Sequence, residues 1–197
     1  GGDTGNKPVI EYVDMLDNVT NTKVYHAPGN HEYFYGADGN HLARVFDSGK
    51  SEQIGNTYRH YFYVDNPQQK IRYIVLNPFD TGDANNPSSI SVVSKYETEQ
   101  VAWLTNTALK VDEGWTVIVF THALYYGFGE DATFSPWPDG ASDVISALDA
   151  ATCDVAGVFT GHAHLDRILH TPGGIPVVVT TSDKYMPWID NGTDMEQ

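Results

Sequence analysis

The chain has 197 residues, enough for one globular domain with a substantial core and short of two. Hydrophobic residues make up 41% and charged residues 19%, ordinary for a soluble folded protein, and no apolar run approaches the roughly 20 residues of a membrane span. Lys and Arg number 11 against 26 Asp and Glu, a formal charge of −15. That balance argues against nucleic acid as a main partner, because phosphate backbones are held by Lys and Arg. An acidic protein still handles phosphate compounds where bound cations supply positive charge. The same acidity also serves simply to keep a chain soluble. The one cysteine, Cys153, forms neither an internal disulfide nor a thiolate cluster and reads as a small core residue. Cellular compartment and oligomeric state stay open.

The opening Gly1-Gly2-Asp3-Thr4-Gly5 has no signal-peptide character and no initiator Met, so the chain is expected to be part of a longer one. Pro8 suits a first helical turn, and Val9, Tyr12, Val13 and Leu16 then fall on one helical face. Lys23 to Ala27 reads as a short strand running into the loop Pro28-Gly29-Asn30-His31-Glu32, followed by a short helix near Gly39 to Phe46. Tyr58 to Val64 and Ile71 to Leu76 flank Asp65-Asn66-Pro67 and form an expected hairpin. Thr81 to Ser91 reads as a surface loop. Ser94-Lys95-Tyr96-Glu97 has capping-box spacing and predicts a helix burying Val101, Leu104 and Ala108. Trp115 to Phe120 is nearly all apolar, as in a strand covered on both faces. An aromatic loop, Tyr125 to Gly140, precedes a helix over Ala141 to Ala150 and a buried strand over Asp154 to Phe159. Arg167 to His170 and Ile175 to Thr180 flank Pro172-Gly173-Gly174 and pair as a second hairpin. The alternation gives mixed α/β in one domain spanning 1–197.

Three apolar strands end abruptly in residues able to bind metal. Lys23 to Ala27 leads to Asn30 and His31, Trp115 to Phe120 leads to His122, and Asp154 to Phe159 leads to Gly161-His162-Ala163-His164. In open α/β sheets the ligand crevice lies beyond the carboxyl ends of the strands, so residues distant in sequence can converge there. Asp3, in a glycine-flanked turn before a helix, is a fourth case. Two divalent metals that clamp a phosphate need imidazoles, carboxylate or amide oxygens, and one bridging ligand. Asp3 can bridge, Asn30 offers an amide oxygen, and His122, His162 and His164 supply imidazoles. His31 is placed to donate a proton to the leaving oxygen or to stabilise the transition state. Taken singly, each has a plainer explanation: a histidine at a strand end is more often a hydrogen-bonded polar residue than a ligand. His162-x-His164 is stronger, since alternate residues of an extended segment share a side. The weight lies in all of them occurring in order, each at a strand end.

Gly2-Asp3, Gly29-Asn30-His31-Glu32, His122 and Gly161-His162-Ala163-His164, in that order, resemble the motifs of the calcineurin-like metallophosphoesterase family. The Glu99-Gln100-Val101-Ala102-Trp103-Leu104 segment also resembles the family's segment before the lone-His strand, and the likeness runs from Asp3 to at least Arg167. The resemblance implies two mixed β-sheets packed as a sandwich flanked by helices, with two divalent ions (Mn, Fe or Zn) at the strand ends. It implies Asp3 as the bridge, Asn30, His122 and His162 on one ion, His164 on the other, and His31 at the leaving group. A metal-bridging hydroxide would then attack a phosphate mono- or diester in line. The family's D-x-H motif is absent, so the chain is expected to start beyond the first strand, leaving one metal shell incomplete and the 197 residues alone weakly active. Asn6 stands where purple acid phosphatases carry a metal-binding Tyr, which argues against an iron–tyrosinate site.

Secondary expectations concern the pocket walls. Glu32 and Tyr33 flank the Asn-His pair and are candidates to line it. Tyr125, Tyr126, Phe128, Phe134 and Trp137 either stack on a flat substrate group or pack within their own loop. Arg167 is a candidate phosphate contact or an ordinary strand-surface residue, and His26, His41, His60 and His170 fit no metal pattern. Two other readings remain: a catalytically impaired phosphoesterase-like binding module, against which the retained ligands weigh, and a mononuclear zinc hydrolase of unrelated fold, which would not call for the Gly-Asp and Gly-Asn-His turns.

Overall fold

The computed structural model describes residues 23–29, 52–56, 60–79, 94–126, 135–163 and 166–180. Strand β1 (Ile54–Asn56) precedes the hairpin of β2 (Tyr61–Asn66) and β3 (Ile71–Leu76), antiparallel with Val64 opposite Tyr73. Helix α1 (Thr98–Trp103) runs on into a π-helical stretch, Leu104–Ala108, and leads to β4 (Thr116–Thr121). A two-stranded ribbon, β5 (Tyr125–Tyr126) with β6 (Ser135–Pro136), precedes helix α2 (Ala141–Asp149). Strands β7 (Asp154–Thr160), β8 (Arg167–His170) and β9 (Pro176–Val179) close the order. Seven of these strands form one mixed sheet in the order β1-β2-β3-β4-β7-β9-β8, with β3, β4, β7 and β9 mutually parallel. This is the expected α/β class. Of the sandwich's two sheets, the described residues present this large one; the other sheet they form is the ribbon. No described helix is long and apolar enough to cross a membrane.

Alternation decides which face takes the helices. Ile74 and Leu76 on β3, Val117 and Val119 on β4, Val158 on β7 and Val177 on β9 turn to one side and meet Leu104, Val144 and Leu148 from the helical segments. Fully burying a leucine such as Leu104 or Leu148 contributes about 1.5–3 kcal/mol. Burial along β4 alternates residue by residue, so this strand is fully covered on one face and partly on the other. On the opposite face Phe62, Val64 and Val75 cluster with Tyr25 and Phe120.

A bulge sets the register between the two strands that matter most. Thr116 and Val117 pair with Asp154 and Val155, but Ile118 pairs with Gly157, leaving Ala156 as the extra residue of β7. A one-residue slip exchanges the two faces of a strand. Val155 and Val158 therefore both pack against the helical side although three residues apart. Gly157 makes room here: a Cβ would lie 3.2 Å from the Pro176 carbonyl oxygen on β9, a tight contact.

Two local expectations are corrected. Lys23 to Ala27 is not a strand; Tyr25 meets Phe62, with ring centroids 6.4 Å apart, and its hydroxyl donates to Glu52 Oε2 at 2.7 Å. The segment thus lies over the sheet's face, outside the ladder that the described strands form. The capping box at Ser94 does not form either, for the helix is capped at Glu97 without a side-chain hydrogen bond. Lys95 is bridged to Phe79 and Asp139 on either side, and Lys95 N–H donates to Pro78 O at 2.6 Å. That holds residues 94–96 extended and delays the helix. The expected helices before residue 23 and near Gly39 to Phe46, and the loop Thr81 to Ser91, lie outside the described residues.

Candidate metal centre

The parallel strands β3, β4 and β7 deliver their carboxyl ends to one edge of the sheet, and the apolar pattern of β4 and β7 stops there. Thr121 ends β4 with its side chain buried, and His122 follows, half-buried. The His122 carbonyl accepts from Gly161 N–H and from Thr160 Oγ1, each at 3.1 Å. The bulge has brought Gly161 level with His122, so these bonds continue the β4–β7 pairing past its last rung.

Beyond Gly161 the backbone turns sharply. His162 has φ of 62°, and Ala163 N–H closes back on Gly161 O at 2.7 Å, a three-residue γ-turn with positive φ. The segment is not extended, so the alternation argument for His162 and His164 does not apply. The turn instead aims His162 across the strand ends. His162 Nδ1 lies 3.0 Å from His122 Nε2, and the two rings meet edge to face at 75°.

Aromatic rings complete the setting. Trp137 stacks on the His162 imidazole at 4.8 Å and 25°, and its backbone N–H donates to Leu124 O at 3.2 Å. Phe79 lies 5.7 Å from His122 and 6.4 Å from His162, centroid to centroid. Neither Phe79 nor the stacking of Trp137 on a histidine was foreseen. Trp137 was expected either to meet a substrate or to pack within its loop, and it packs on the site itself.

Behind this layer stand two buried polar side chains, Tyr96 just before α1 and Gln100 within it. Gln100, fully buried, accepts from Asn77 N–H and donates to Asn77 O, each at 2.8 Å, and Asn77 Oδ1 accepts from Phe79 N–H at 3.0 Å. Tyr96 bonds on both sides of His122, to Thr121 Oγ1 at 2.6 Å and to Ala123 O at 2.5 Å. Burial pushes the Tyr96 hydroxyl far above the usual tyrosine range, so it acts as a neutral group. Linear reasoning had no signal for Tyr96, which reaches a threonine 25 residues later.

The donor set suits a divalent ion. The two imidazole nitrogens lie at hydrogen-bonding distance, 3.0 Å, and imidazole nitrogen is a common ligand of such ions. Among the described residues no third His, Cys, Asp or Glu joins them. Asp3, Asn30, His31, Glu32, Tyr33 and His164 lie outside the described residues, as do Phe128 and Phe134. Tyr125 is 6% exposed, with its ring in the core cluster; burial and then the Asp149 charge raise its pKa. Arg167 sits on β8, separated from β7 by β9, opposite Val179.

Residues 2–166 match the family model described as calcineurin-like phosphoesterase. Among solved structures, a dimetal phosphatase from Danio rerio superimposes with a TM-score of 0.66 and 17% sequence identity, covering 90% of this chain. The chain spans 66% of that protein's length. At this identity the likeness is one of fold. Among curated proteins none matches the chain.

Proposed function

Because the chain belongs to the calcineurin-like phosphoesterase family, we propose that it hydrolyses a phosphate mono- or diester at two divalent metal ions. The observation that supports this best is the convergence of His122 Nε2 and His162 Nδ1 at 3.0 Å beyond two parallel strand ends. Asp3, Asn30 and His164 would join them in holding the ions. Bound there, divalent ions such as Mn, Fe or Zn would supply Lewis acidity toward the phosphoryl oxygens and lower the pKa of an attacking water.

The chain's own groups then have separate tasks. His122 and His162 are presented by a backbone already fixed through Thr160 and Gly161, so binding a cation requires little rearrangement. Phe79 and Trp137 pack on the imidazoles and exclude water from one side, which strengthens the electrostatic interactions there. His31 donates its proton to the departing oxygen, and Glu32 and Tyr33 line the substrate pocket. Tyr125, on β5, has its ring in the core cluster rather than facing a substrate, and Arg167 contacts phosphate only if the substrate reaches the β8 edge.

Mn²⁺- or Zn²⁺-dependent release of nitrophenol from nitrophenyl phosphate esters by the full-length protein tests this. His122→Ala should abolish turnover. His31→Ala should lower kcat by about 10²–10⁴-fold while metal remains bound, the range for loss of a general acid. Unchanged turnover in His122→Ala would remove the metal assignment.

A further inference from the structure

Tyr96 is 2% exposed and lies on neither of the strands that present the histidines. A tyrosine placed only to fill a core needs one partner for its hydroxyl. This one has two, and they bracket a single residue: Thr121 Oγ1 at 2.6 Å and Ala123 O at 2.5 Å. Proton roles follow from the inventory of donors. Ala123 O can only accept, so the Tyr96 hydroxyl donates to it, and Thr121 Oγ1 must therefore donate to Tyr96.

The tyrosine is itself held at both ends. Its N–H donates to Asp139 O at 2.8 Å, and Lys95 before it is bridged to both Phe79 and Asp139. On its carbonyl side Gly140 approaches so closely that a Cβ there would stand 2.6 Å from Tyr96 O. The hydroxyl is thus a fixed point against which the end of β4 is registered. With Gly161 N–H and Thr160 Oγ1 on the His122 carbonyl, the backbone around His122 is tied from α1 on one side and from β7 on the other. None of these bonds is made by the imidazole, which meets His162.

We propose that Tyr96 is a positioning residue of the metal centre, its hydroxyl setting the backbone on either side of His122 and thereby the place where Nε2 meets His162. The proposal rests on the metal-site reading of His122 and His162 given above. Sites of this kind need ligands held to about 0.5 Å, and removing an outer partner of a ligand typically costs 10–100-fold in metal affinity. Tyr96→Phe keeps the ring and its packing and removes only the hydroxyl.

The test is titration of the whole protein with Co²⁺ alone, following the visible spectrum and affinity, alongside thermal unfolding. Tyr96→Phe should weaken Co²⁺ binding by about tenfold or more and shift the visible bands. Thr121→Val should weaken it less, because the Ala123 bond survives. The double variant should match Tyr96→Phe within about twofold if both act through one hydroxyl. A lowered Tm with wild-type Co²⁺ affinity and spectrum would reduce Tyr96 to a core residue and overturn the proposal. Should Tyr96→Phe fail to fold, Thr121→Val decides, and wild-type binding there overturns it. His122→Ala separates the two claims: Co²⁺ affinity unchanged in that variant removes the metal-site reading and this proposal with it, whereas loss in His122→Ala beside wild-type binding in Tyr96→Phe removes the proposal alone.

Discussion

His162 occupies a left-handed conformation, φ 62°, that costs an L-residue about 1–2 kcal/mol relative to the ordinary regions. Glycine pays no such cost. His162→Gly should therefore leave stability to urea unchanged or raise it by up to about 1 kcal/mol while Co²⁺ binding collapses. His162→Ala keeps the strain and should lose binding without that compensation. A loss of stability on His162→Gly larger than on His162→Ala would mean the turn is held by the imidazole rather than imposed by the backbone. The strain thus falls on a residue proposed as a ligand, and functional sites are where backbone strain collects. The sequence offered both histidines as ligands but not the turn. Gly-His-x-His reads equally well as an extended segment, and only the Ala163 bond to Gly161 decides between them.

Among the elements, the approach of α2 to the segment before α1 and the β2–β3 hairpin are each held by one specific close contact. Gly140, at φ 78°, caps α2 and touches the Tyr96 carbonyl. Gly140→Ala adds backbone strain and a 2.6 Å contact, and should destabilise by about 1–3 kcal/mol, measured by urea unfolding. Arg72, 8% exposed, forks onto both Asp65 carboxylate oxygens at 2.7 and 2.8 Å, donates to Ala108 O and Lys110 O, and lies over the Tyr63 ring. It ties the hairpin to the end of the π-helical stretch. Lysine cannot reproduce a planar fork, so Arg72→Lys should lower stability by about 2 kcal/mol, with metal binding retained because the site is remote. The hairpins themselves were legible, because period-two alternation and turn residues are local signals. The start of α1 was not. Ser94 and Glu97 carry the spacing of a cap, yet Lys95 is drawn into bridges with Phe79 and Asp139, and a tertiary bridge outweighs a cap worth about 1 kcal/mol.

At the scale of the whole molecule, charge and buried hydroxyls set the response to solution conditions. A chain at −15 repels itself, and a cation bound only by the folded state adds about 2.7 kcal/mol at a hundred times its Kd. Saturating Mn²⁺ should accordingly raise Tm, and EDTA should reverse it; an unmoved Tm would argue against a folded-state metal site. Burial raises the pKa of Tyr96, Tyr125 and Tyr25 alike. The folded state holds these protons more tightly than the unfolded one, so their contribution is complete below the ordinary tyrosine pKa of about 10 and is lost as pH rises above it. Thermal unfolding between about pH 8 and 11 should show stability falling from about pH 10, and less steeply in Tyr96→Phe.

The sequence by itself determined the α/β class, the two hairpins, the order of the parallel strands' apolar runs, and the identity of His122 and His162 as residues at strand ends. Those are consequences of local periodicity and of polar residues interrupting it. Tertiary structure alone decided that Ala156 bulges, that Gly161 therefore stands level with His122, and that Tyr96 reaches Thr121 and Ala123 from the start of another element. It also laid Lys23 to Ala27 over the sheet's face instead of within it. Register and reach depend on which surfaces are buried together, and a linear pattern contains the faces of each element but not the partner each face will meet.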